Sequence, residues 1–581
     1  MFIDSRNVEQ RAVVETTVCI IGAGVAGITL ALEMDKQGID TVLLESGGYK
    51  PDDATRDLYR GENVGIPYTY ADGSRSRFLG GSSNCWGGWC RPLDAWDFEK
   101  RDWVKDSGWP FGLDELRPYY ARTHALLKLG ENNFDPAYWE AAIGRDDVKR
   151  HPLPSGTVRD TISQFSPPVR FGKVYKALLG KSSHVRVFLN ANAMNIDTDA
   201  EAKHVSKIDV GTLSGKRFSI SAKIFILATG GIENARLLLA SSKVQAEGLG
   251  NEHDLVGRYF MDHPRTMQGS IKFKKGWDRN KLYDIKYHYQ NASVSAHGQF
   301  ISSQFALTQK VLERERLLNA RVWFYSVFRG ENTEGAEALI RCKQAILQKD
   351  QPDWNFSQDV LTMAMHPVDT ACFGLARLLQ PRPLITDVKF QTIVEAEPNR
   401  DSRVTLSAQR DALGMNRVKV DWQLTELVKR TFDRTVTLLA EEMQRTGVAD
   451  VQLDAPLEGK PWPVQLEGTW HHMGTTRMHN SPKQGVVDRN CQVHGMSNLY
   501  VAGSSVFPTV GANFPTITIA AMTLRLSEHI LKALRGELAT LASVTSIGPV
   551  AVERRGSEES MPFAASSTLR APSDLAFMAK K

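Results

Sequence analysis

The stretch that decides the fold is Val18-Cys19-Ile20-Ile21-Gly22-Ala23-Gly24-Val25-Ala26-Gly27-Ile28-Thr29-Leu30, answered further on by Thr41-Val42-Leu43-Leu44-Glu45-Ser46. A short apolar run, a GxGxxG turn and a second apolar run read as strand, turn and helix. Residues 41–44 form another apolar run, and its continuity suits a parallel strand covered on both faces. Each part of the turn has its own duty. Gly22 permits the sharp bend, Gly24 lets the backbone approach a pyrophosphate, and Gly27 allows helix and strand to pack closely. The helix expected from Ile28 to Met34 offers unpaired N–H groups at its N-terminus to phosphates, with Val25 and Ala26 of the turn in the same binding set. Glu45 ends the second strand at the distance where a carboxylate accepts ribose hydroxyls, and Ser46 adjoins it in the same binding set. This signature binds a dinucleotide without separating FAD from NAD.

Around this unit the chain has the make-up of a globular enzyme. It has 581 residues, 42% hydrophobic and 24% charged, enough for two linked domains with cores of their own. A net charge of +5 spread over that length gives no support to nucleic-acid binding. Six scattered cysteines form no CxxC pair, so neither a disulfide framework nor a metal site is expected. The first fifteen residues carry Asp4, Glu9 and Glu15 and lack an apolar core, so no signal peptide is expected. No apolar run approaches the ~20 residues of a membrane span. A cytoplasmic location is the default expectation, with a partner subunit as the route to export or membrane attachment.

Strand-like segments recur at 185–189, 223–227 and 499–502, and helical ones at 232–240 and 518–534. They are expected to assemble a doubly wound α/β domain from the discontinuous segments 1–90, 182–264 and 469–536. The insertions 91–181 and 265–468 are rich in aromatic and β-branched residues, and form on this reading a sheet-containing substrate-binding domain that covers the cofactor. Residues 361–379 are apolar but interrupted by His366, Pro367, Asp369 and Arg377; they read as a buried helix, with a cover for the site or a partner contact as alternatives. Residues 537–581, rich in Ser and Ala, read as a disordered or loosely docked tail.

Further blocks are Arg77-Phe78-Leu79-Gly80-Gly81-Ser82-Ser83-Asn84-Cys85-Trp86-Gly87-Gly88, Ala228-Thr229-Gly230-Gly231-Ile232-Glu233-Asn234-Ala235-Arg236 and Val256-Gly257-Arg258-Tyr259-Phe260-Met261-Asp262-His263-Pro264. Near the end come His471-His472-Met473-Gly474-Thr475-Thr476-Arg477-Met478 and Asn498-Leu499-Tyr500-Val501-Ala502-Gly503-Ser504-Ser505. In wording and order these resemble the glucose–methanol–choline (GMC) oxidoreductases from residue 17 to about 535, and are closest to the family's bacterial sugar-oxidising members. The resemblance implies a Rossmann-type FAD-binding domain and oxidation of an alcohol, with O₂, a quinone or a cytochrome as electron acceptor. It implies no metal. A non-redox lyase or a non-catalytic flavin-binding subunit on the same fold are the alternatives.

Physical chemistry places roles on these blocks. Gly80, Gly81, Ser82, Asn84 and Cys85 are expected beside the flavin, where glycines let amides approach the ring; Gly503 and Ser504 follow a buried strand and face the pyrimidine edge or ribityl chain. Trp86 and Trp89 read as a wall beside the flavin or as ordinary core. Cys85 stands where covalently flavinylated relatives carry His, so non-covalent FAD is expected. Taking a hydride from a CHOH carbon requires the hydroxyl proton to leave too, and a neutral imidazole suits that task. His471 matches the family's base, with His472 as rival, since neighbours on an extended segment point to opposite sides. For the second polar group Asn513 is favoured over Phe514, although counting back from Pro515 puts Phe514 in that place. Asp262-His263-Pro264 reads as a polar turn.

Overall fold

In the computed structural model the strand Val13–Ile21 runs into the turn at Gly22, and the helix Val25–Lys36 begins within the glycine motif, with Gly24 as its N-cap. The strand is longer and the helix starts earlier than the apolar pattern predicts. The turn itself supplies the first helical residues, because the phosphate-facing N–H groups belong to the first turn of a helix. The structure describes all residues except 69–73, 168, 277–280, 287–293, 348–354, 380 and 537–581. The tail expected at 537–581 therefore lies outside the described residues.

The first eight-stranded sheet has a parallel core in the order Phe2–Asp4, Val185–Leu189, Thr41–Leu44, Val13–Ile21, Arg217–Leu227. The long strand Arg217–Leu227 serves two neighbours. Its first half pairs antiparallel with Val205–Gly211, and its last three residues pair parallel with Leu499–Val501. Val18, Cys19 and Ile20, Val42 and Leu43, and Phe225 to Leu227 are fully buried, as parallel strands covered on both faces require. Helices Val25–Lys36, Gly231–Ala240 and Thr516–Leu534 carry the crossovers and the final return.

The second eight-stranded sheet is antiparallel throughout, in the order Glu467–Gly468, Pro264–Gln268, Ile385–Val394, Ala320–Phe328, Gln299–Leu307, Val158–Phe165, Trp89–Cys90, with Ser295–Ala296 added at Gln299–Leu307. One face packs on the helix Glu426–Arg445 through Val436, Leu439 and Met443 against Phe324 and Phe390. The opposite face of Ala320–Phe328 and Ile385–Val394 presents Trp323, Gln391 and Ile393 to the central cavity. Met1–Ile530 form one compact unit, and Leu531–Lys581 fall in a second.

The buried helix expected over 361–379 is corrected. The segment is two helices, Phe356–Met365 and Pro367–Leu379, broken at His366 because proline cannot continue the preceding hydrogen-bond ladder. Asp359, Phe373 and Ala376 face the fold, and the opposite apolar side lies in solvent. An apolar run cannot by itself announce which of its sides is covered. Among the described residues no helix is long and apolar enough to cross a membrane.

Candidate active site

A cavity of about 490 Å³ runs from the glycine turn across the first sheet's strand ends to the second sheet. Gly22, Gly24, Val25, Ala26, Glu45 and Ser46 line one end. Gly27 does not line it and acts from behind: a β-carbon there would meet the Gly22 carbonyl oxygen at 1.8 Å, so only glycine lets the helix sit this close to the turn. Gly24 has open space where its β-carbon would be, the room a pyrophosphate needs. Glu45 is buried and accepts from Gly47 N at 2.9 Å and Ala23 N at 3.2 Å. Burial raises its pKa above the ordinary carboxylate value despite those donors. The donor set, the open glycine and the carboxylate at the strand end fit the phosphates and ribose of FAD.

Gly81, Ser82, Cys85, Trp86 and Trp89 line the middle of the cavity, as do Gly503 and Ser504. Gly80 and Asn84 do not, which corrects their expected place. The Asn84 amide donates to Leu79 O at 3.0 Å, closing this turn on itself, and Gly80 N donates to Ala23 O at 2.9 Å, tying the turn to the glycine motif. The Cys85 thiol is exposed, 3.4 Å from Ser82 O. Arg75 and Arg77 also line the cavity and pair with the buried Glu233 at 2.8 and 3.3 Å. The Arg75-Ser76-Arg77 triplet was the available signal for them.

At the far end stand both histidines. The segment carrying them is set by Asp262. One carboxylate oxygen accepts from His471 N at 2.8 Å and Thr469 Oγ1 at 2.9 Å; the other accepts from Trp470 N at 2.8 Å and from the Tyr68 hydroxyl. His471 Nδ1 lies 2.9 Å from His263 Nδ1 and 2.9 Å from Thr469 Oγ1. His263 Nε2 lies 2.9 Å from Gly511 O. A carbonyl only accepts, so His263 carries its proton on Nε2 and offers a lone pair at Nδ1. His471 then carries its proton on Nδ1, which leaves Nε2 as a free lone pair. Burial, reinforced by His263 and Arg265, holds the His471 pKa well below the ordinary imidazole value, and burial also lowers that of His263. Both rings are neutral near pH 7.

His472 is pushed down to about 3, chiefly by burial, and packs against Tyr68 and Phe260, with Nε2 lacking a hydrogen-bond partner among the described residues. Its backbone carbonyl accepts from Ser504 Oγ at 2.7 Å. Asn513, expected as the second polar group, is not in the cavity. Its amide is consumed by Arg321 Nε at 3.0 Å and by Pro92 O at 2.8 Å. Phe514 takes that place, edge-on to His471 at 5.8 Å and stacked on Trp89 at 5.0 Å. The imidazole that meets His471 is His263, 208 positions away in sequence, and its signal was the Asp262-His263-Pro264 turn.

The second sheet adds two further groups. Trp323 and Gln391 are register partners on adjacent strands, both buried and both facing the cavity. Trp323 Nε1 and Gln391 Oε1 have no hydrogen-bond partner among the described residues. A buried orphan donor beside a buried orphan acceptor is costly unless something in the cavity completes them.

A dinucleotide cradle facing a cavity that carries a buried imidazole fits an oxidoreductase with a bound dinucleotide. Comparison with known proteins shows what the chain is similar to. Residues 398–523 match the family model described as "GMC oxidoreductase", and 15–54 match an "FAD binding domain" model. The 6'''-hydroxyparomomycin C oxidase of Streptomyces lividus is 23% identical over 90% of this chain and 92% of its own. The fructose dehydrogenase large subunit of Gluconobacter japonicus is 22% identical over 89% and 98%. The crystal structure of pyridoxine 4-oxidase from Mesorbium loti shares the fold, with a TM-score of 0.53 at 15% identity, covering 88% of this chain and 99% of that one. The chain is similar to the GMC oxidoreductases in these segments and along the length of these relatives, and it is an FAD-dependent oxidoreductase acting on CH–OH donors.

Proposed function

We propose that the enzyme oxidises one hydroxyl of a sugar, glycoside or similar polyol, with His471 as the base. The carrying observation is the orientation of His471, whose Nδ1 is occupied by His263 and Thr469 while Nε2 has no hydrogen-bond partner among the described residues. FAD, when bound, supplies the hydride acceptor. His471 Nε2 accepts the hydroxyl proton, and the resulting imidazolium keeps its Nδ1–H bond to the neutral His263. Trp89, Phe514 and Trp323 exclude water from one side and offer aromatic faces to the C–H face of a ring. On this reading 1–90, 182–264 and 469–536 hold the cofactor, and 91–181 with 265–468 hold the substrate. Reaction with O₂, a quinone or a cytochrome, a partner subunit and a cytoplasmic location belong to the same reading.

The polyol preference rests on Gln391 and Trp323. An oxygen acceptor and an indole N–H, side by side, match two neighbouring hydroxyls, one donating and one accepting. Gln391→Leu should lower kcat/KM for polyols about tenfold to hundredfold, the cost of leaving a buried hydroxyl unpaired, and leave simple monohydroxy alcohols within about twofold. Steady-state kinetics on matched polyol and deoxy substrates checks this. Anaerobic mixing with a panel of sugars and glycosides tests the function itself: bleaching of the flavin band is expected, and no bleaching by any alcohol would overturn it. FAD is held without a covalent bond, so acid precipitation should release it to the supernatant.

A further inference from the structure

Among the described residues, eight of the nineteen exposed large apolar side chains fall within one pair of short helices. They are Phe356, Val360, Leu361 and Met365 on Phe356–Met365, and Val368, Leu375, Leu378 and Leu379 on Pro367–Leu379, between 41% and 72% exposed. The pair is a built element. Arg341 from the preceding helix Glu334–Leu347 grips the buried Asp359 at 2.7 and 3.0 Å, and Phe373 and Ala376 are buried on the inner side. The outward face exposes on the order of 800 Å² of apolar side chains, above the few hundred Å² that monomers leave open and close to one partner's share of a stable protein interface.

We infer that this face joins a second copy of the same chain in a two-fold dimer. The outward positions of Pro367–Leu379 are Val368, Ala371, Leu375 and Leu378, spaced three, four and three apart, the period of a helix–helix seam. Two such helices crossing antiparallel about an axis at Leu375 set Ala371 of one against Leu379 of the other, and Cys372 against Leu378. Leu375 meets its own copy at the axis and on either side a small residue faces a large one, so the surface complements itself, as a two-fold interface requires. Charge argues against a lipid surface. Residues 356–379 hold Asp359, Asp369 and a single cation, Arg377, where interfacial membrane helices are rich in Lys and Arg.

Sedimentation velocity of the FAD-loaded full chain at micromolar concentration tests this. A two-chain mass is expected for the wild type. A one-chain mass is expected for Leu375→Glu/Leu378→Glu and for Leu361→Glu/Met365→Glu, two independent disruptions on different helices. Both variants should keep the wild-type flavin absorbance, melting temperature and rate of flavin reduction, because none of these residues touches the cavity. A one-chain wild type, or variants that fold and retain two-chain mass, would overturn the inference. So would co-flotation of the wild type with phosphatidylcholine/phosphatidylglycerol vesicles, which would make the face a lipid anchor. Dimerisation seen only after shortening the chain at Gly536 would likewise overturn it, by showing residues 537–581 as the native cover.

Discussion

Replacing His471 by alanine should slow flavin reduction by about 10²–10⁴-fold while FAD stays bound, the usual range for removing a general base. The size follows from the absence of a substitute. His472 sits on the same extended segment but is pushed down to about 3, and its ring packs against Tyr68 and Phe260. His263 is turned the wrong way, with Nε2 bound to Gly511 O and Nδ1 facing His471. Neither ring can reach the cavity lone pair without breaking its own contacts. Retained flavin is expected because the glycine turn and Glu45, proposed to hold the cofactor, line the other end of the cavity.

The pH profile adds a second readout. A base must be unprotonated, and burial holds the His471 pKa well below the ordinary imidazole value. The rate constant for flavin reduction should therefore be flat from about pH 6.5 upward and fall only in acid. A profile rising through pH 7 would place the base elsewhere. His263→Asn should lower kcat more than it raises KM, because the residue orients His471 and does not touch substrate. Stopped-flow reduction at several pH values separates these outcomes.

What the sequence makes legible here follows from how local each constraint is. The turn 22–27 is readable because all its requirements lie within one strand and one helix: the Gly27 contact is with Gly22, five positions away. The strand at 185–189 and the helix after 230 are readable for the same reason, from the buried Val185, Val187, Phe188 and Leu189 of the one and the Gly230-Gly231 turn and buried Leu237-Leu238 of the other. The partner of His471 is not readable this way. His263 reaches it only because Pro264–Gln268 and Glu467–Gly468 pair as neighbouring strands, a long-range fact with no periodic trace. At 513 and 514 a single residue decides which side chain enters the cavity. That choice is made by Arg321, from a distant strand, which binds the Asn513 amide. The outward face of 356–379 shows the same limit from the opposite side: apolar residues announce that something will cover them, and not what.

The second large effect concerns the buried ion pair behind this loop. Arg101 donates to Glu395 through Nη1 at 2.8 Å and Nη2 at 2.6 Å, with both side chains essentially inaccessible to water. Glu395 also accepts from Asn319 N at 3.0 Å, and Asn319 donates to Asp97 at 2.6 Å. A β-carbon on Gly511 would meet the Asp97 carboxylate at 2.6 Å, so the loop that receives the His263 proton is seated directly on this network. Arg101→Met removes the cation and strands a carboxylate whose pKa the arginine holds down against burial. Breaking a buried pair from one side costs about 3–5 kcal/mol, since the remaining charge has no partner and no water. Removing both charges with Arg101→Met/Glu395→Leu should recover much of that loss, because the desolvation penalty disappears along with the attraction. Urea unfolding of the three proteins checks the sign: the double variant must be more stable than the single one, or the pair is not what holds the loop. Flavin reduction should follow the same order, since Gly511 O can hold His263 in register only while the loop keeps its seat.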